Sequence, residues 1–184
     1  MPSLAFVGLG SNLEHPRRQL ARALAEISRL PRTRIIASSR NYCSAPLGGA
    51  GPQPVNVNAA AALSTALAPS ALLARLHAIE RRHGRRRRPG EARGLPRVLD
   101  LDLLLVGRRR SRRARLTLPH PRMHERAFVL VPLLEIAPAA TIPGRGSARR
   151  WLKGTRGQRL ARTRTHARGV FPGRVANHAG ASRR

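Results

Sequence analysis

Hydrophobic positions along the chain switch repeatedly between strand and helix spacing. LAFVGLG (residues 4–10) is a short apolar run ending in Gly10, Ser11 and Asn12, which predicts a buried strand and a tight turn. After Pro16, Leu20, Leu24 and Ile27 recur at i, i+4 and i+7, while Arg17, Arg18, Arg22 and Arg29 occupy other faces. That spacing predicts an amphipathic helix to about Leu30, ended by Pro31. RIIASSRNY (34–42) predicts a second strand. VNVNAAAAL (55–63) predicts a third, with Val55, Val57 and Leu63 on one face and Asn56 and Asn58 on the other. Pro69 and Ser70 open a second helix with Leu72, Leu76 and Ile79 on one stripe and Gly84 as its stop. PRVLDLDLLLVG (96–107), the most apolar segment, predicts a fourth strand. Alternation puts Leu99, Leu101, Leu103 and Leu105 on one of its faces and Asp100 and Asp102 on the other.

The order strand, helix, strand, strand, helix, strand is that of an α+β, ferredoxin-like β-α-β-β-α-β domain. Its antiparallel sheet carries both helices on one face and leaves the other open for chemistry. Two connections, residues 43–54 and 83–96, are long for a compact domain and would flank that open face. The catalytic domain is expected over residues 1–140, with a strand or helix extension over 141–155 and a disordered basic tail over 156–184.

Composition changes this picture through charge. The chain has 184 residues, 36 Lys plus Arg against 8 Asp plus Glu, and a formal net charge of +28. All but Lys153 of the basic side chains are arginine, in a sequence also rich in Gly, Pro and Ala, so GC-rich codon usage accounts for much of the charge. Residues 141–184 hold 12 basic and no acidic side chains. A nucleic-acid tether is one use for such a tail, but no aromatic stacking pattern is interleaved with its arginines, which favours compositional drift. Cys43 is the single cysteine, so an intramolecular disulfide is excluded and a reducing compartment is the default. No apolar run approaches the roughly 20 residues of a spanning helix. The 4–10 run lacks a basic flank and is short for a signal peptide. A soluble cytoplasmic protein is expected.

Asp100 and Asp102 are the only aspartates in the chain, and they share one face of its most apolar strand. Two adjacent carboxylates there resist ionising together unless a cation joins them. Hard oxygen ligands two residues apart on a rigid strand suit Mg²⁺, which keeps several waters and completes its shell with substrate phosphates. Eight arginines between Arg81 and Arg97 immediately precede the pair, and guanidinium forks match phosphate oxygens. Acid pair and Arg-rich loop together suit phosphoryl transfer. The alternative is a stabilising ion cluster of Asp100 and Asp102 with Arg85 or Arg97. No GxxxxGK[ST] phosphate loop is present, and GLGSN is too weak for a dinucleotide fingerprint. His120 is open between a phosphate contact and a turn imidazole. Asn56 and Asn58 are open between a heterocycle contact and a solvated edge, and Phe128 is a core residue by default.

AFVGLGSNL, YCSAPLG, QPVNVNAA, LHAIERRHGRRR, PRVLDLDLLL and LPHPRMHERAFVLVPLLEIAP, in this order and spacing, resemble the 6-hydroxymethyl-7,8-dihydropterin pyrophosphokinase family of folate biosynthesis over roughly residues 4–140. The resemblance implies a ferredoxin-like fold with three mobile loops, and transfer of the β,γ-pyrophosphoryl unit of ATP to the pterin hydroxymethyl oxygen, leaving AMP. It places two Mg²⁺ ions on Asp100 and Asp102, with Asp102 assisting deprotonation of the hydroxyl, and Arg85 and Arg97 on the moving phosphates. Glu80, Arg87, Arg115, Thr117, His120 and Arg126 would contact the nucleotide. Ser44, Leu47, Asn58 and Phe128 would hold the pterin. The expected partners are these two small molecules, with no membrane or nucleic acid, and the expected unit is a monomer.

Three features depart from the family pattern. Asn56 stands where the family has an aromatic two residues before the Asn of QPxFxN. RPGEARGLPR replaces RWGPR, so the lid tryptophan is missing and the loop is about two residues longer. Residues beyond about 155 have no counterpart. The competing reading is a nucleic-acid-binding ferredoxin-like module, against which the aromatic-poor sheet and the acid pair both speak. A third is a protein that keeps the motifs but has lost much of the activity with its altered loops.

Overall fold

A computed structural model of the protein describes residues 1–45, 54–84 and 95–163. The elements are β1 (Ser3–Ser11), α1 (Pro16–Ser28), β2 (Thr33–Ser38), β3 (Tyr42–Ser44), β4 (Asn56–Thr65), α2 (Pro69–Arg82), β5 (Asp100–Val106), β6 (Ser111–Arg113), β7 (Leu116–Leu118), α3 (Ala127–Ile136), β8 (Thr141–Ile142), β9 (Gly146–Ser147), α4 (Ala148–Leu152) and β10 (Leu160–Arg162). Both leading helices begin at a proline, whose fixed φ suits the first helical position. After α2 the chain turns at Gly84, where φ is +84°, a conformation glycine adopts without steric cost.

The main sheet is antiparallel in the order β10-β3-β4-β1-β5. β2 and β3 lie one after the other along one side of β4, pairing near Thr65 and near Asn58 respectively. The single strand expected over 34–42 is therefore two. A register irregularity between Ile35 and Ala37 bends the chain, and Ser39 spans the break by bonding Ala60 N–H through its hydroxyl and Ala60 O through its own N–H. Val55 lies before β4 and is exposed rather than on the buried face.

One face of the sheet follows the expected alternation. Ala5, Val7, Leu9, Leu63, Leu101 and Leu103 pack with Leu20 and Ile27 of α1 and Leu72, Leu76 and Ile79 of α2. The opposite face corrects the expectation of an open surface. Phe6, Ala62, Leu104 and Leu105 form a second core with Met123, with Val129, Leu130 and Leu133 of α3, and with Ile142 and Ala148. AFVLVPLLEI is apolar nearly all round, the composition of a buried helix rather than a surface one.

Leu105 also moves. Phe6 pairs with Leu105 but Val7 with Leu103, so Leu104 is an extra residue on β5. This bulge resets the alternation, sending Leu104 and Leu105 into the second core and Val106 back into the first. The expected disordered tail from 156 is likewise corrected in its first part, because Leu160, Ala161 and Arg162 pair with Ser44, Cys43 and Tyr42 as a sixth strand. An extended backbone satisfies the edge N–H and C=O groups of β3 whatever its side chains, so periodicity gives no sign of it.

Candidate active site

Register places the acid pair at one end of the face that carries α3. Tyr42 of β3 pairs with Asn58 of β4, Asn58 with Gly10 of β1, and Gly10 with Asp100 of β5. In the adjacent row, Ala60 pairs with Gly8 and Gly8 with Asp102. Residues paired across strands point to the same face, so Asn58, Asp100 and Asp102 face the same space, and the middle strand contributes no side chain there. A Cβ on Gly10 would lie 3.5 Å from Asn58 Oδ1 and 3.9 Å from Asp100 Cβ. The bare glycine thus makes a trough between the amide and the carboxylate. The expected turn at Gly10 and Ser11 is strand instead, and the two glycines are the residues that sequence reasoning passed over. Their period of two, matching that of Asp100 and Asp102, was the available signal.

Basic side chains surround the carboxylates. Arg97 Nη1 donates to Asp100 Oδ2 at 2.6 Å. His120 Nε2 lies 3.8 Å from Asp102 Oδ1, and Arg126 Nη1 lies 4.0 Å from Asp102 Oδ2. His120 follows a cis Leu118–Pro119 bond, and its N–H donates to Leu104 O at 2.9 Å. Burial, reinforced by the nearby positive charge of Arg126, pushes the His120 pKa down to about 4, so the ring is neutral near pH 7. Its Nδ1 is buried without a hydrogen-bond partner among the described residues. Burial also lowers the pKa of Arg126, against the opposing pull of Asp102. The Arg126 guanidinium lies 5.6 Å from the ring centroid of half-buried Phe128.

The other predicted residues fall into four groups. Ser44 and Asn58 meet, with Asn58 Nδ2 donating to Ser44 Oγ at 3.1 Å, both buried. Arg115 and Thr117 are exposed on the β6–β7 hairpin, whose second strand leads into His120, and neither hydrogen-bonds to the acid pair among the described residues. Glu80 is only 2% exposed, and its Oε1 accepts from Leu101 N–H at 2.8 Å, between the two aspartates. Leu47, Arg85 and Arg87 lie outside the described residues.

Supporting contacts not anticipated from the sequence hold the trough's walls. Asn12 Oδ1 accepts from Arg97 N–H at 2.7 Å, and Asn12 N–H donates to Arg97 O at 3.1 Å. Tyr42 OH donates to Glu135 of α3 at 2.7 Å, which together with burial raises the tyrosine pKa. Just before residues 85–94, His83 is held between Gln19 Oε1 at 2.8 Å and Glu26 Oε1 at 2.6 Å. Arg82 binds the other oxygen of Glu26 through Nε and Nη2. Each of these partners is distant in sequence, so no local pattern announces the contact.

The sequence profile of the 7,8-dihydro-6-hydroxymethylpterin-pyrophosphokinase (HPPK) family matches residues 6–138. The chain belongs to the HPPK family. A 2-amino-4-hydroxy-6-hydroxymethyldihydropteridine pyrophosphokinase of Pseudomonas aeruginosa is 50% identical over 138 residues, covering 75% of this chain and 83% of the relative. Its counterpart in Haemophilus influenzae is 47% identical over 141 residues, covering 76% and 84%. Among solved structures, Plasmodium falciparum HPPK-DHPS matches with a TM-score of 0.63 at 11% identity, over 83% of this chain. This chain spans 44% of that longer chain, and at such identity the likeness concerns the HPPK fold alone. The HPPK match contains every predicted site residue, whereas β10 lies beyond it.

Proposed function

We propose that the protein transfers pyrophosphate from ATP to 6-hydroxymethyl-7,8-dihydropterin, giving AMP and the pterin diphosphate in folate biosynthesis. The observation that carries this reading is the cross-strand row from Asn58 through Gly10 to Asp100, with Asp102 beside it on the same face of the sheet. It sets an amide suited to a heterocycle next to two carboxylates suited to a cation.

The donor set fits Mg²⁺ better than a softer metal. Asp100 and Asp102 offer only oxygen, and among the described residues no cluster of three His, Cys, Asp or Glu forms an all-protein cage. Two carboxylates with substrate phosphates and water are a usual Mg²⁺ arrangement. Two ions are assigned to this pair, and when bound they neutralise the triphosphate and orient its oxygens.

The remaining work belongs to side chains. Asn58 and Ser44 read the pterin edge, with backbone near Leu47, and Phe128 covers a ring face. Asn56 replaces the aromatic on the other side, so hydrogen bonding and shape carry more of the selectivity. Asp102 takes the hydroxymethyl proton. Arg97, which neutralises Asp100 at 2.6 Å, offers its remaining donors to the moving phosphates, joined by Arg85 and Arg87 from the Arg-rich segment. Neutral His120 hydrogen-bonds the nucleotide, and its buried Nδ1, which has no partner among the described residues, supports such a role. Arg126 adds fixed positive charge, with Arg115 and Thr117 on the nucleotide side. The burial of Glu80 beneath β5 supports a task other than the nucleotide contact that the family resemblance implies.

No described helix is long and apolar enough to cross a membrane. The protein is assigned to the cytoplasm, where its two substrates would be encountered. The test is AMP release from ATP, Mg²⁺ and the hydroxymethyl pterin. Release that requires both Mg²⁺ and pterin is expected, and its absence at every protein concentration would overturn the reading.

A further inference from the structure

The acid pair sits on β5, the last strand in the sheet order. Backbone groups on the outer side of an edge strand have no strand to pair with. One of them lies between the two aspartates, where Leu101 N–H donates to Glu80 Oε1 at 2.8 Å. Glu80 belongs to the end of α2, and at 2% exposure it lies under the strand rather than in the trough. A second side chain repeats the device where the chain enters β5. Asn12, 5% exposed, accepts from Arg97 N–H at 2.7 Å and donates its own N–H to Arg97 O at 3.1 Å. Arg97 in turn holds Asp100 at 2.6 Å. The backbone carrying Arg97, Asp100 and Asp102 is therefore fastened to α2 and to the end of β1 by two buried side-chain oxygens.

We infer that Glu80 and Asn12 are positioning residues: Glu80 acts through the Leu101 amide on the carboxylate pair, and Asn12 acts through the Arg97 backbone on the guanidinium that meets Asp100. The inference rests on the pyrophosphoryl-transfer reading and deepens it. Transfer of this kind depends on placement of charge, and a displacement of about 1 Å can cost roughly a hundredfold in rate. Both residues serve as hydrogen-bond acceptors toward the backbone, so in this positioning role it is the acceptor oxygen that matters. That separates Glu80 from a nucleotide contact, for which charge would matter.

The isosteric variants make the distinction measurable in the full-length protein. Glu80→Ala should lower kcat and raise the Mg²⁺ concentration for half-maximal AMP release, each by about 10- to 100-fold, the usual range for partners lying behind metal ligands. KM for ATP should stay within about threefold, and Glu80→Gln should stay within about threefold of the native protein in all respects. Amide exchange followed by NMR without substrates supplies a readout independent of turnover. Leu101 should lose protection in Glu80→Ala and keep it in Glu80→Gln. Arg97 should behave in the same way in Asn12→Ala and Asn12→Asp. Glu80→Gln as damaging as Glu80→Ala, with the loss in KM for ATP, would make Glu80 a nucleotide contact and overturn the proposal. Unchanged Leu101 exchange in Glu80→Ala would overturn it as well. A native protein that releases no AMP would instead remove the functional reading, while the exchange pattern reported on the two clamps by itself.

Discussion

The two ends of one sheet face are built from the same three strands and do opposite work. At one end β1, β4 and β5 present Phe6, Ala62 and Leu104, and α3 closes over them as a second core. At the other they present Gly10, Asn58 and Asp100 in a single cross-strand row, with Gly8 and Asp102 in the next. Each strand changes character over about four residues along the same face. Apolar side chains draw the helix down through burial, whereas bare glycines and polar groups leave a trough where substrate charge can be met. The site is the part of the face that the second core does not cover.

Substitutions that convert either end test this division. Asp102→Ala, alone or with Asp100→Ala, should cost roughly a thousandfold in AMP release, the scale of removing a charged group that stabilises a transition state. The melting temperature should change little, since relief of the like-charge pair offsets the lost contacts to Arg97 and Arg126; a large fall would mean that the carboxylates are structural. At the covered end, Leu130→Ala should cost about 2–5 kcal/mol in denaturant unfolding, because Leu130 is fully buried in the second core. Activity per folded molecule should survive, and its loss there would deny that the two ends are separable.

Gly10→Leu fills the trough with little cost to the core, and about a hundredfold loss in kcat/KM is expected. Gly10→Ala should be milder, since its Cβ would meet Asn58 and Asp100 at ordinary contact distances.

His120 supplies a pH test at the boundary. Its folded pKa of about 4 lies below the unfolded value of 6.5, so the fold favours the neutral ring. That stabilisation is complete above about pH 6.5 and is lost as the pH falls toward 4, on the order of 3 kcal/mol at full protonation. NMR titration of the substrate-free protein should show the depressed midpoint, and a His120 that titrates near 6.5 would contradict the buried geometry. The smallest effect is expected for Tyr42→Phe. Losing the hydroxyl bond to Glu135 should cost about 1 kcal/mol in unfolding free energy and leave the carboxylates undisturbed.

Much of this division was legible in the chain. Periodicity located α1, α2 and β5 and put Asp100 and Asp102 on one face, because those signals need only neighbouring residues. The motif series pointed to the HPPK family for the same reason. The bulge at Leu104, the break between β2 and β3, and the covering of the second face by α3 were not legible, since each follows from pairing and packing between distant segments. Glu80 shows the difference most sharply. Its sequence position suggested a nucleotide contact, and only the packing of α2 beneath an edge strand placed its oxygen on the Leu101 amide.

By itself the sequence picked out the candidates for the proposed chemistry, namely two aspartates, an arginine ahead of them, and a histidine and an arginine beyond them. Local patterns and composition suffice for that. The tertiary structure decided how they meet. Cross-strand register brought Asn58 and Asp100 to either side of an empty Gly10, and an apolar helix from later in the chain closed the rest of the face. Register and burial are properties of the assembled sheet, since a strand's faces acquire different surroundings only when its neighbours and the covering helix are in place.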